Sequence, residues 1–269
     1  FDVGPFGIEL ISLTHSIPEP NALVIRTSAG TVMHTGDWKF DDDPVLGEPS
    51  DEEALRRAGD EGILAMVCDS TNALVSGSSG SEGSLVVHLQ NLISGLDNRV
   101  AVGCFASNLA RLQTIAQVAQ NCDRQVVLVG RSLHRMNEIA REHGIFDNLA
   151  SFVSEEEAGY LPKDKVLYIC TGSQGEPRAA LARIARGDHR EVKLEMGDAV
   201  IFSSRVIPGN ELEISRLQNK FLSDGIDVIT ADDADIHVSG HPACDELAEM
   251  YQFIRPEIAI PVHGEIRHL

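Results

Sequence analysis

Short apolar runs separated by polar loops characterise the chain as far as about residue 82. Runs of this length, rich in apolar and β-branched residues and bounded by turn residues, predict β-strands. The predicted strands cover residues 9–13, 22–26, 31–33 and 63–67. Polar segments follow three of them, at residues 14–16, 34–37 and 69–72. Side chains that can carry chemistry are therefore expected in loops at the ends of strands.

A different rhythm begins at about residue 83 and lasts to about residue 225. After an opening helical run at residues 85–93, strand-like and helix-like segments alternate. The predicted strands cover residues 100–102, 126–129, 166–169 and 200–202, and the helices after them cover residues 110–119, 133–142, 177–185 and 211–222. Pro177 suits the first position of its helix. This alternation predicts a parallel sheet with helices on both faces and ligand-binding loops at the carboxyl ends of its strands.

The last block, about residues 226–269, returns to short strands, predicted at residues 227–230 and 258–262. Histidine-bearing loops follow both strands. The first and last blocks therefore look like one domain, made of residues 1–82 and 226–269. A second domain, residues 83–225, interrupts it. The predicted fold class is α/β, with a parallel α/β domain inserted into another domain.

The overall composition is that of a globular protein, with 43% hydrophobic and 23% charged residues. No apolar run approaches the roughly 20 residues that cross a bilayer. The start of the chain lacks the basic stretch of a secretion signal. Five cysteines without a CxxC pair predict free thiols rather than disulfides or a thiolate zinc site. These features predict a cytoplasmic protein with no membrane partner.

The net charge of -19 opposes a general affinity for nucleic acid, because an acidic surface repels phosphate. Any RNA function would have to rest on a local basic or metal-lined channel. The acidic stretches at residues 41–43, 51–53 and 155–157 are interpreted as solvated loops or helix starts.

Three residues in strand-end loops form a candidate metal site. His15, Asp37 and His263 each follow an apolar strand, so all three can gather at one sheet edge. Imidazole and carboxylate are ligands that suit zinc or manganese. A lone histidine is more often structural or exposed than a ligand, and three such placements shift the balance only modestly.

Two loops are candidate anion sites. His237 and His241 have the i, i+4 spacing of a helical zinc pair, but Ser239, Gly240 and Pro242 oppose a helix. Two interpretations are about equally supported: a loop that presents backbone N–H groups and imidazoles to an anion, and an ordinary glycine turn. The glycine-rich turn at residues 171–175 is a weaker phosphate candidate. At residues 105–108, Ser107 or Asn108 is first a helix cap and only second a ligand contact.

Several strings together resemble a known family. They are THSIPEPNALVI, HTGDWKFD, DSTNA, FASNLAR, CTGSQGEP, SSRVIPGNE, HVSGHP and PVHGE. They look like the ribonuclease J branch of the metallo-β-lactamase superfamily, which carries an inserted β-CASP domain. The resemblance covers nearly the whole chain, and CTGSQGEP, IPGNE and HVSGH are its most specific parts. It implies part of an αββα metallo-β-lactamase fold with an inserted Rossmann-like domain.

The resemblance also implies a site. Such enzymes hold two metal ions, usually Zn²⁺ with Mn²⁺ as a variant, and His15, Asp37 and His263 match three of the ligands. Asp69 and His241 match a carboxylate and a histidine paired near the leaving group. The residues that match RNA-phosphate contacts are Ala106, Ser107, Asn108, His237, Val238, Ser239, Gly240 and His241.

The resemblance implies hydrolysis of RNA phosphodiesters, from the 5′ end and internally, in RNA processing and decay. The implied partners are single-stranded, 5′-monophosphorylated RNA and further copies of the full-length protein. One departure matters: the family's HxHxDH metal-ligand segment does not occur among the ten histidines. That segment is expected upstream and a C-terminal domain downstream, so the chain alone is expected to be an inactive fragment that holds metal weakly or not at all. A metal-free RNA- or protein-binding module and a small-molecule metallo-hydrolase remain alternatives.

Overall fold

The computed structural model describes all 269 residues and shows two compact units. The first combines Phe1–Glu82 with Ser239–Leu269, and the second is Gly83–Val238. No helix in either unit has the length and apolar character needed to cross a membrane.

The two units contain eleven strands and eight α-helices. The strands are β1 (Asp2–Val3), β2 (Phe6–Ser12), β3 (Asn21–Thr27), β4 (Gly30–His34), β5 (Ala65–Asp69), β6 (Val100–Gly103), β7 (Gln125–Val129), β8 (Val166–Cys170), β9 (Ala199–Phe202), β10 (Asp227–Ile229) and β11 (Ile258–Val262). The helices are α1 (Glu52–Glu61), α2 (Leu85–Ser94), α3 (Leu109–Asn121), α4 (Arg131–Glu142), α5 (Glu155–Ala158), α6 (Ala180–Ala185), α7 (Glu211–Ser223) and α8 (Cys244–Ile254).

The first unit is built on a six-stranded mixed sheet in the order β1-β2-β3-β4-β5-β11. Neighbours from β1 to β4 are antiparallel, whereas β4, β5 and β11 run parallel. Strands β2, β4, β5 and β11 therefore all point their carboxyl ends to one edge. The loops that carry His15, Asp37, Asp69 and His263 begin at that edge, which is why residues distant in sequence can meet there.

The core of this unit lies on one face of the sheet, under α1 and α8. Its buried side chains include Trp38, Leu55, Met66, Phe253 and Ile254. The opposite face carries two rows in register across the strands, apolar except for one histidine, in which nearly every side chain is partly or largely exposed. The rows are Ile8, Ile25, Val32, Ala65 and Ile258, and Leu10, Leu23, His34, Val67 and Ile260. The αββα fold expected from the sequence has a second sheet against such a face.

Helices α1 and α8 cross at Gly59, where no side chain fits. A Cβ atom on this residue would overlap the backbone carbonyl oxygen of Phe253. Since backbone cannot move aside without shifting the helix, we expect Gly59→Ala to destabilise the unit by about 1–3 kcal/mol despite alanine's better helix propensity. Urea unfolding followed by circular dichroism measures this. Gly7→Ala is the control, because its added Cβ would have no neighbour closer than 3.6 Å; an equal shift in both variants would contradict the prediction.

The second unit contains a five-stranded sheet in the order β10-β9-β6-β8-β7, and every pair is parallel. The inner strands β6, β8 and β9 and the edge strand β7 are almost entirely buried, as expected for a parallel sheet covered on both faces. On one face, Val127, Tyr168 and Val200 pack with Leu181 of α6 and Phe221 of α7. The predicted α/β class with a parallel inserted sheet is confirmed.

The strand predicted at residues 227–230 is present as β10, which pairs with β9, and the residues up to Val238 belong to the second compact unit. Two local predictions are wrong. The helix expected from Pro177 begins only at Ala180, after a separate turn closed by Ala179 N–H to Glu176 O (3.0 Å). Asp41, expected to be solvated, is buried beside the ammonium group of Lys39 (2.7 Å).

Candidate active site

The carboxyl edge of the six-stranded sheet gathers a cluster of acidic and imidazole side chains. Asp37, Asp69, His241 and His263 each offer a ligand atom, and these atoms lie within 4.8 Å of one another. Asp37 follows β4, Asp69 ends β5 and His263 follows β11. His241 lies in the loop before α8. The parallel pairing of β4, β5 and β11 brings Asp37, Asp69 and His263 together, and the loop before α8 adds His241.

Asp69 is the buried centre of this cluster, with 1% of its surface exposed. Its Oδ2 accepts a hydrogen bond from His241 Nδ1 (2.7 Å), and its Oδ1 accepts from the N–H (2.9 Å) and hydroxyl (2.6 Å) of Thr71. Burial raises the pKa of Asp69, but the bonds from His241 and Thr71 outweigh burial and leave the pKa below its ordinary value. Asp69 is therefore a carboxylate held in one orientation.

His241 is oriented by the same bond. Because Nδ1 faces the Asp69 carboxylate, it carries a proton, and Nε2 points away from that partner. The backbone of the loop is held as well: Asn72 Nδ2 donates to the His241 carbonyl (3.1 Å) and to Ser239 Oγ (2.8 Å). The ring is only partly buried, so Nε2 is accessible to a ligand or substrate group.

His263 has the left-handed backbone conformation, with φ 60°. Few non-glycine residues adopt this conformation, and such strain persists where surrounding contacts require it. His263 Nδ1 lies 2.9 Å from Thr71 Oγ1, 3.3 Å from Asp37 Oδ1 and 3.4 Å from Asp69 Oδ1. The imidazole thus links the exposed carboxylate of Asp37 to the buried one of Asp69.

His15 lies beside the cluster but outside the group of four. Its ring centroid is 5.2 Å from that of His241, and its Nδ1 donates to the carbonyl oxygen of Gly240 (2.6 Å). Burial lowers the pKa of His15, which favours the neutral ring. The Nε2 lone pair is then an acceptor, in contact with Ser16 Oγ (3.3 Å). A ring oriented by a carbonyl through its other nitrogen suits a metal ligand.

The close contact between His15 and Gly240 requires a glycine. A Cβ on Gly240 would lie 2.7 Å from His15 Cε1 and 2.8 Å from His15 Nδ1. We expect Gly240→Ala to displace the ring and perturb its NMR signals, while the fold loses at most about 1–3 kcal/mol. Gly7→Ala, with no neighbour closer than 3.6 Å to the added Cβ, is the control for the substitution itself. Unchanged His15 signals in Gly240→Ala would contradict this account.

Sequence reasoning missed several groups that support the cluster. Thr71 bonds to both Asp69 and His263, and Thr35 Oγ1 accepts from the Asp69 N–H (3.2 Å). Asn72 holds the loop of His241. The only signal was their position: they stand beside predicted site residues in the segments after β4 and β5. The sequence analysis also did not predict helix α8. Its buried Glu246 accepts hydrogen bonds from the N–H groups of Phe40 and Ser79.

In the second unit, the residues predicted to contact phosphate have structural partners. Asn108 caps α3 by accepting from the Arg111 N–H (2.8 Å). The buried guanidinium of Arg111, which sequence reasoning did not single out, bonds to Ser203 Oγ (2.8 Å) and lies 3.2 Å from His237 Nδ1. Ser107 is exposed, and Ala106, His237 and Val238 are partly exposed. Residues 237–241 form a loop rather than a helix, as the sequence indicated.

The donor set of the first unit fits a metal ion. Two imidazoles and two carboxylates within 4.8 Å are the ligand types of zinc and manganese sites. Of the three ligands predicted from sequence, Asp37 and His263 are in this group, and His15 is adjacent to it. Asp69 and His241 complete the group, although the sequence suggested a different role for them.

Comparison with known proteins finds two family matches and several similar chains. Residues 97–221 match the family described as "Ribonuclease J, beta-CASP domain", and residues 226–269 match "Zn-dependent metallo-hydrolase RNA specificity domain". A solved structure of a protein of unknown function from Enterococcus faecalis V583 shares the fold, with a TM-score of 0.67 at 16% identity over 100% of this chain and 61% of its own.

Among curated relatives, the chain is 50% identical to Ribonuclease J of Sinorhizobium meliloti over 100% of its length and 48% of the relative's. It is 44% identical to Ribonuclease J of Corynebacterium glutamicum, of which it covers 38%, and 38% identical to that of Helicobacter pylori, of which it covers 39%. The chain thus spans about half the length, or less, of these relatives. Both domain matches and the identity along the entire chain lead to one conclusion: the chain belongs to the ribonuclease J family.

Proposed function

We propose that the full-length protein is a metal-dependent ribonuclease that hydrolyses RNA phosphodiesters. The observation that carries the proposal is the buried Asp69 bonded to His241 within 4.8 Å of the Asp37 and His263 donors. This arrangement places an oriented imidazole beside a donor set for metal. The relatives named Ribonuclease J and the matched RNA specificity domain support RNA as the substrate class.

Asp37, His263 and His15 would hold metal, together with ligands that this chain does not contain. Bound Zn²⁺ or Mn²⁺ would lower the pKa of a water and stabilise charge on the phosphate oxygens. Two Zn²⁺ ions in the complete site are the expectation from the family. For this chain alone we propose weak retention or none, because affinity falls when ligands are few.

His241 would protonate the leaving 3′-oxygen as the phosphodiester breaks. An acid must carry a proton on the nitrogen that faces the substrate, and Asp69 fixes the ring through Nδ1 so that Nε2 can face it. The N–H groups and side chains of residues 106–108 and 237–241 would bind RNA phosphates. Single-stranded RNA with a 5′-monophosphate, exonuclease and endonuclease action, and association of full-length copies in the cytoplasm are further parts of the proposal.

A competing role for the pair is metal ligation, since the atoms of Asp69 and His241 lie within the same group of four. The 2.7 Å bond occupies His241 Nδ1 and one oxygen of Asp69, so Nε2 is the nitrogen that would face either a leaving group or a metal ion. The metal content of Asp69 and His241 variants separates the two roles, because substitution of a metal ligand lowers the amount of bound metal.

The decisive experiment is digestion of labelled single-stranded RNA by the metal-loaded full-length protein and by His263→Ala. We expect cleavage by the parent, and loss of both cleavage and bound metal in the variant. His88→Ala on the exposed face of α2 is the matched control and should behave as the parent. Cleavage of a chromogenic lactam but not RNA would reject the substrate class, and full activity of His263→Ala would reject the site.

A further inference from the structure

A second set of polar groups lies in the five-stranded unit, far along the chain from the residues of the candidate active site. A cavity of about 950 Å³ opens at the carboxyl ends of β7 and β8. It is lined by the turn that starts α4, the turn that starts α6, and the loop at residues 189–191. Volumes of this order accommodate small molecules, and loops at the carboxyl ends of parallel strands are where such folds bind them.

Two arginines at this cavity have no partner. Arg131 and Arg178 line it and form no ion pair or hydrogen bond, whereas every other arginine of the chain has a partner of some kind. This is unusual in a chain of net charge -19, where carboxylates are abundant. Two of the three glutamates in the lining are already engaged: Glu176 accepts from the Gln174 N–H (3.0 Å), and Glu191 pairs with Arg190 (2.9 Å). Both unpaired guanidinium groups of the chain therefore lie at this cavity.

A buried histidine adds a donor to the same cavity. His189 is 9% exposed, and its Nδ1 accepts from the Val192 N–H (3.2 Å). Nε2 therefore carries the ring proton. No group of the chain accepts a hydrogen bond from this N–H. Nε2 is not fully buried either, so the N–H is exposed, and His189 lines the cavity. An N–H donor inside a largely buried ring is costly to leave unpaired unless water or a ligand accepts it.

The start of α4 contributes further donors. Its N-cap is Gly130, which has no side chain to bond the first N–H groups, so those of Arg131 and Ser132 remain free at the positive end of a 12-residue helix. Gly130 has φ 131°, and a Cβ there would collide with the side chain of Thr171 in the neighbouring turn. Only glycine lets the two turns approach closely enough to form this wall.

We propose that this cavity binds the phosphate groups of a small phosphorylated molecule. The guanidinium groups of Arg131 and Arg178 offer planar pairs of donors that match phosphate oxygens, and the start of α4 and His189 offer additional N–H groups. No phenylalanine, tyrosine or tryptophan lines the cavity, so recognition rests on phosphate rather than on a stacked base. The site is separate in sequence from the proposed ribonuclease residues and does not depend on that assignment.

Isothermal titration of the chain with inorganic pyrophosphate, in the presence of a chelator, tests the proposal. We expect saturable binding at one site, weakened about tenfold by each of Arg131→Gln and Arg178→Gln, since a charge-assisted hydrogen bond contributes about that factor. The control is Arg135→Gln on the same helix, whose side chain is exposed and pairs with Glu138 (3.3 Å). In parallel, the Nε2–H resonance of His189 should shift on titration.

Two results would overturn the site. One is binding that is absent, or equally weakened by the Arg135 control. The other is displacement of pyrophosphate by a short RNA without terminal phosphates, which would assign the arginines to an RNA backbone. Because all three substitutions are at exposed positions, unfolding does not confuse the comparison, and circular dichroism verifies this for each variant.

Discussion

His241→Ala in the metal-loaded full-length protein is expected to lower kcat by about 10²- to 10⁴-fold while the affinity for RNA stays nearly unchanged. As the phosphodiester breaks, the 3′-oxygen gains negative charge and needs a proton. His241 is held by Asp69 through a 2.7 Å bond to Nδ1, which leaves Nε2 to donate. An interaction made only in the transition state changes kcat and not binding.

Single-turnover cleavage and RNA binding in the presence of a chelator measure the two quantities separately. Asp69→Asn is the companion variant: it keeps the shape but replaces the carboxylate that holds His241 Nδ1 by an amide, so the ring is oriented less firmly and kcat should fall in the same direction. Weak RNA binding with a near-normal rate at saturation would show that His241 only grips phosphate. Loss of bound metal in His241→Ala would make it a ligand instead.

Lys39→Met is expected to destabilise the first unit by about 3–5 kcal/mol, the largest effect on folding that we predict. The Lys39 ammonium lies 2.7 Å from Asp41 Oδ2, and the two side chains are only 3% and 1% exposed. The ammonium also donates to the Gly80 carbonyl (2.9 Å). Without it, Asp41 remains buried with an unpaired charge, whereas the bond from Thr14 to the backbone carbonyl of residue 39 (2.7 Å) is retained.

Two comparisons isolate this effect. Lys163→Met removes an exposed pair with Glu195 (2.6 Å) and should cost no more than about 1 kcal/mol. Lys39→Met combined with Asp41→Asn removes the unpaired charge but keeps an acceptor for the Glu82 N–H (2.9 Å), so it should recover part of the loss. Denaturant unfolding measures the free energy of unfolding of all three variants. A loss of stability in Lys39→Met no larger than that in Lys163→Met would contradict the prediction.

The deficit should also depend on pH. Burial raises the pKa of Asp41, but the bonds from Lys39, the Glu82 N–H and Ser81 outweigh it, so the pKa lies below its ordinary value. A lowered carboxyl pKa stabilises the fold above the unfolded value of 3.8 and stops doing so as pH falls through the folded value. The difference in the free energy of unfolding between the parent and Lys39→Met should therefore become smaller at acidic pH.

Local pattern was enough to predict most strands, the longer helices of the second unit and the loops that carry chemistry, although it missed α8 and misplaced the start of α6. The alternation of strand and helix after residue 83 depends on neighbours a few positions apart, and the structure has the parallel sheet it indicates. The positions of His15, Asp37, Asp69 and His263 just after strands followed in the same way. Parallel strands bring such loops to one edge, so their meeting could be expected before the structure was known.

Which side chains touch was decided only by the tertiary structure. The bond from His241 to Asp69 joins residues 172 positions apart, and only a family resemblance suggested it. No local pattern distinguishes buried Asp41 from its exposed neighbours Asp42 and Asp43, because burial depends on Lys39 and on the chain that folds over both. Strand β10 likewise joined the second unit because its partner is β9. Hydrophobic periodicity reports the environment of a residue's own element, whereas pairing and charge burial depend on elements that are distant in sequence.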